Sequence, residues 1–149
     1  MSGRRAHDPP LCHPIPGSRA LGIALRLDRQ IVSGGHYARE IQPRYVRYLV
    51  AQARSQMSSA PQTACPRVRE VLDLDAANTE AQGLARQCET TASRLLADAQ
   101  SHERSDAAGA QRTYTQVQQM VPRTSATYRT AQERLAAMRR TTHPVDEDE

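Results

Sequence analysis

Apolar residues recur at helical spacing over most of the chain, and the pattern breaks only where turn-forming residues interrupt it. Val46, Leu49, Val50, Ala53 and Met57 form one stripe, with Pro43 suited to a first helical position. The cluster Ser58-Ser59-Ala60-Pro61 stops that helix. Ala64, Val68, Val71 and Leu72 give a shorter amphipathic helix, broken at Asp75-Ala76-Ala77-Asn78. Asn78 or Thr79 can cap the next one. There Ala81, Leu84, Ala85, Cys88, Ala92, Leu95, Leu96 and Ala99 hold one face without a breaker to about Arg104. Ser105-Asp106 marks a turn. Ala110, Tyr114, Val117 and Met120 then form a helix ended by Val121-Pro122, and Tyr128, Ala131, Leu135 and Met138 form the last.

The ends of the chain read differently. Between Ser18 and Val32, Leu21, Ile23, Leu25 and Leu27 alternate as in a strand. Leu21, Ala24, Leu25, Ile31 and Val32 fit a helix instead. Ser18 as N-cap and Gly34 past the end favour the helix, and Gly34-Gly35 reads as a hinge. Residues 1–17 hold four of the nine prolines and read as a disordered arm. The organisation expected is an arm (1–17), a helix and hinge (18–42), a helical domain (43–140) and an acidic disordered tail (141–149).

Sliding the chain along itself adds an internal repeat. At an offset of 46 residues Leu49 falls on Leu95, Ala53 on Ala99, Ala64 on Ala110, Val68 on Tyr114, Val71 on Val117 and Leu74 on Met120. The apolar class is kept at each position. Ala110, Tyr114, Val117 and Pro122 have the spacing of the second helix of a tetratricopeptide repeat. Tyr128, Ala131 and Leu135 suit the first helix of a further one. The earlier copy has Tyr48, Ala51, Ala64, Val68 and Val71, and Leu72 to Ala81 resembles the family's turn, with Ala76 in place of the usual Pro. The chain thus resembles a divergent tetratricopeptide-like protein over about residues 44–140. It departs from the family in lacking the usual Gly of the first helix, and its period of 46 exceeds the family's 34 or so. One long helix from about Thr79 to Arg104 accounts for the excess. The resemblance implies an all-α fold, a fragment of an α-solenoid made of antiparallel hairpins with a long central helix. Tyr48, Ala64, Val68, Val71, Ala110, Tyr114, Val117, Pro122 and Tyr128 would be its packing positions.

Composition thins the core that these helices can build. There is no Phe or Trp, and the only aromatics are five Tyr, so helices must pack closely through small side chains. All 20 basic residues are Arg, which is read as codon bias rather than a need for guanidinium chemistry. Nine of them lie in residues 1–54 against three acids, whereas Asp146 to Glu149 are all acidic. These ends read as solvated rather than as partners of one another.

Candidate chemistry is sparse. His7, Cys12 and His13 are close in sequence but sit in the Pro-rich arm, with no second pair at zinc-like spacing. Cys65 and Cys88 fall on neighbouring helices near one turn. They read as two small buried apolar residues, with a disulfide as the alternative. Neither a nucleophile elbow nor a phosphate-binding glycine loop occurs, and Gly34-Gly35-His36 signifies only a turn. The acids Asp73, Asp75, Glu80, Asp98, Glu103 and Asp106 gather at helix ends and read mostly as caps and solvated faces. Arg39, Arg44, Arg47 and Arg54, interleaved with Tyr37, Tyr45 and Tyr48, form the one stretch able to grip phosphate and stack bases.

The expected function is a non-catalytic scaffold or adaptor that binds another protein or peptide, with self-association a further possibility for so short a stack. No cofactor or metal is expected. The alternative is a basic helical protein that binds nucleic acid through residues 37–54. No apolar run approaches the roughly 20 residues of a membrane span, and a reducing, cytoplasmic setting is the default.

Overall fold

The computed structural model describes residues 18–31 and 37–142, and all six elements among them are helices: α1 (Ser18–Ile31), α2 (Ala38–Gln56), α3 (Pro61–Leu74), α4 (Thr79–His102), α5 (Ala107–Met120) and α6 (Ala126–Thr142). The Pro-rich arm, the Gly34-Gly35 hinge and the acidic end from residue 143 lie outside the described residues. The chain divides into two compact units, one up to Tyr45 and one from Val46 onward.

In the first unit the ambiguous segment after Ser18 is a helix. The Asp28 carboxylate accepts the Tyr37 N–H at 3.0 and 3.1 Å and so holds the start of α2, where a negative charge meets the positive end of the helix dipole. Tyr45 lies across Gly22 of α1: a Cβ there would stand 3.0 Å from the phenolic oxygen and 3.2 Å from the ring. Leu25 is buried, whereas Ile23 and Leu27 are exposed.

α2 begins at Ala38, ahead of Pro43, so this proline lies inside the helix rather than opening it. Pro66 likewise lies inside α3. Each proline removes a donor to the carbonyl four residues earlier. Those carbonyls belong to Arg39 and Gln62, both exposed, where water can replace the lost bond.

The second unit is built around α4, whose 24 residues make it the longest helix among the described residues. The Asn78 side chain caps it, accepting the Ala81 N–H at 3.0 Å. Asp106 caps α5 by accepting the Gly109 N–H at 2.8 Å. A side chain at Gly109 would run into that carboxylate, with its Cβ 2.0 Å from Asp106 Oδ2. Consecutive helices pack together from α3 to α6, and α3 also meets α5 as α4 meets α6. Glu89 and Ser93 of α4 lie against Thr127, and Glu103 just beyond α4 lies against Arg134. α4 and α6 therefore run in the same direction.

The 46-residue offset reappears in the helix boundaries. Pro61 and Leu74, the ends of α3, shift onto Ala107 and Met120, the ends of α5, and Gln56 at the end of α2 shifts onto His102 at the end of α4. Ala64, Val68 and Val71 are buried at no more than 1% exposure, as are Tyr114 and Val117 opposite the last two, with Ala110 at 3%. Tyr48 and Tyr128 are half-buried and Pro122 is exposed.

Space at these alanines is what permits the packing. Ala64→Leu puts three extra carbons where Ala64 has no exposed surface, and we expect a loss of about 1–3 kcal/mol in urea unfolding. Ala136→Leu, on the exposed side of α6, should shift stability by no more than about 0.5 kcal/mol.

Candidate functional site

The side chains with distinctive chemistry gather along α4 and its neighbours. Just past its end, Glu103 Oε2 accepts from the Tyr114 hydroxyl at 2.6 Å and from Arg134 Nε and Nη2 at 3.0 and 2.8 Å. The Tyr114 hydrogen bond, more than the neighbouring guanidinium groups of Arg134 and Arg104, holds the Glu103 carboxyl below the usual glutamate range. Burial and the bond to Glu103 push the Tyr114 phenol above its ordinary value. Earlier on α4, Glu89 Oε1 accepts from the hydroxyls of Ser125 at 2.7 Å and Thr127 at 2.5 Å, at the entry to α6. The Ser93 and Thr127 hydroxyls lie 3.1 Å apart. Arg69 of α3 donates to the carbonyls of Gln119 at 2.7 Å and Val121 at 3.2 Å, closing the C-terminal end of α5.

Of the acids expected to be caps or solvated, Asp106 is a cap, Asp75 bonds the Asn78 amide at 3.2 Å, and Glu80 pairs with Arg54. Glu103 differs: it joins three segments, and its side chain is only 19% exposed. Sequence reasoning also missed Glu89 and Arg69. A position one turn from the buried α4 stripe was the only signal for Glu89.

Beside the Glu103 clamp an open cleft of about 470 Å³ lies between the C-terminal half of α4 and α5. Leu95, Ala99 and Ala110 form its apolar part, and Asp98, His102, Asp106, Arg112, Thr113 and Gln116 supply polar groups. Its position follows from helix length. Cys65 near the start of α3 meets Cys88, so the 14 residues of α3 cover only the earlier part of α4. Beyond that point α4 and α5 are left to line a groove alone. His102 Nδ1 lies 2.9 Å from the Asp98 carbonyl and from Ser101 Oγ. Ser101 itself donates to the Asp98 carbonyl at 2.8 Å, a helix-end bond rather than an activated nucleophile.

The residues of the basic stretch differ in exposure. Arg39, Arg44, Arg47 and Arg54 are all exposed on α2, but Tyr45 is buried and Tyr48 half-buried. Arg54 is already paired with Glu80, and these two with Arg47 border a smaller cleft of about 180 Å³ that also includes Val46, Val50 and Ala51. Among the described residues no three His, Cys, Asp or Glu side chains come together in a metal-binding group. No helix among them is long and apolar enough to cross a membrane. The chain matches no protein-family model, no curated protein and no solved structure.

Because the folded Glu103 carboxyl titrates below its unfolded value of 4.5, the stability it confers is complete above that value. It is lost as pH falls through the folded value. Acid titration of unfolding should therefore show a steeper loss in the wild type than in Glu103→Gln. Tyr114→Phe removes a bond to a charged acceptor and should cost about 1.5–3 kcal/mol at pH 7.

Proposed function

We propose that this chain is a non-catalytic protein-interaction module of tetratricopeptide-like helical hairpins, which takes a peptide segment of a partner into the α4–α5 cleft. The observation that carries the reading is the recurrence of helix ends at 46 residues, α3 upon α5 and the end of α2 upon the end of α4. A chain that repeats one hairpin stacks its copies and leaves grooves along the stack. The cleft adds the chemistry of a peptide site, with a small apolar floor and both carboxylates and a guanidinium around it. Recognition then rests on shape and a few polar bonds, and no covalent step is required.

The test is affinity capture with the full chain at low and high salt, beside a variant carrying Arg112→Glu and Gln116→Arg, both on α5 and both lining the cleft. We expect a protein that survives high salt and binds the variant at least about tenfold more weakly, a change of roughly 1.4 kcal/mol. Circular dichroism should be unchanged between the two. Capture of nucleic acid alone, lost steeply with salt, would sink the proposal, as would equal binding by both forms. Sedimentation equilibrium of the free chain separates a foreign partner from a second copy.

A further inference from the structure

Cys65 on α3 and Cys88 on α4 are bonded to each other, with Cα atoms 5.8 Å apart and a sequence separation of 23. That separation lies within the usual range for a native disulfide. The bond is set in the core: Cys65 has no exposed surface and Cys88 is 4% exposed, with the Met57 sulfur 4.0 Å from Cys88 Sγ. It joins the two helices of one hairpin across the four-residue turn Asp75–Asn78. Thiols this close could have packed as two small apolar residues. Their pairing instead gives the hairpin a covalent tie that the thin, Phe- and Trp-free core does not otherwise have.

We infer that Cys65 and Cys88 are an obligatory oxidation site, that a disulfide-bearing thiol oxidant acts on this chain as it folds, and that the folded protein works in an oxidising compartment. This replaces the cytoplasmic default, because structural disulfides persist outside reducing compartments and are rare within them. The chemistry balances as two exchanges. One cysteine thiolate attacks the oxidant's disulfide, forming a mixed disulfide and releasing one oxidant thiolate. The second cysteine thiolate then attacks the protein sulfur of that mixed disulfide and displaces the other. The two cysteines lose two electrons and two protons, and the oxidant leaves as its dithiol. Burial sets the order of events: an oxidant cannot reach either sulfur once α3 and α4 have closed, so the bond forms before or during closure. For the same reason, reductant reaches it only when the hairpin opens. The inference does not depend on what occupies the α4–α5 cleft.

The test isolates the full chain from its own host with N-ethylmaleimide present at lysis, then digests it without reduction for mass spectrometry. We expect a linked Cys65–Cys88 peptide pair and no maleimide on either residue. Both residues alkylated would overturn the proposal. The second measurement is thermal unfolding of the oxidised chain, the chain reduced while unfolded and then refolded, and the double variant Cys65→Ala/Cys88→Ala. Loss of a loop closure of this length should lower Tm by about 10 °C or more in the last two. An unchanged Tm would remove the structural role. On the folded chain, reduction should proceed no faster than hairpin opening; rapid reduction without unfolding would contradict the burial argument.

Discussion

Two helices can approach only as closely as the side chains between them allow, and in residues 46–142 that limit is set by alanine. Ala53, Ala64, Ala81, Ala92, Ala99, Ala110 and Ala131 are all buried to 5% exposure or less. With no Phe or Trp in the chain, the largest fully buried side chain among the described residues is Tyr114. A tyrosine fills space as a phenylalanine would, but it carries a hydroxyl into the interior that must find a partner. Glu103 is that partner, and a carboxylate so enclosed calls in turn for a cation, which Arg134 supplies. The polar clamp across α4, α5 and α6 is thus a consequence of filling an alanine-lined core with the one aromatic type available.

Much of this was legible in the sequence, because local signals and periodicity carry it. Asp106 and Asn78 mark helix starts by their own short side chains, which reach donors three residues on. The apolar stripes of α3 and α5 name the buried faces, and the long uninterrupted stripe after Asn78 anticipates α4. Pro43 misled, since an exposed proline near a helix start resembles one at the first position and costs little in either place. The clamps were illegible for a different reason. Glu89, Glu103 and Arg69 each act on groups between 11 and 52 residues away, and nothing in their immediate neighbours differs from a solvated helix face. The aromatics of the basic stretch divide between core and solvent, Tyr45 buried and Tyr37 exposed, a split that charge and composition alone do not reveal.

The length of α4 links the packing to the cleft. Its 24 residues span about 36 Å and the 14 of α3 about 21 Å, so roughly three turns of α4 extend past its neighbour. A period of 34 would have left no such overhang. The two stretches of α4 are also held by different physics. The earlier one is tied to α3 through Cys88, a covalent bond indifferent to pH and salt but open to reductant once exposed. The later one is held by Glu103 and its partners, of which Arg134 is 43% exposed, so that clamp weakens with acid and with screening and ignores reductant. The α4–α5 cleft lies on the later stretch. The polar clamp nearest the cleft thus answers to proton and salt concentration, while the covalent tie between α3 and α4 answers to reductant once it is exposed.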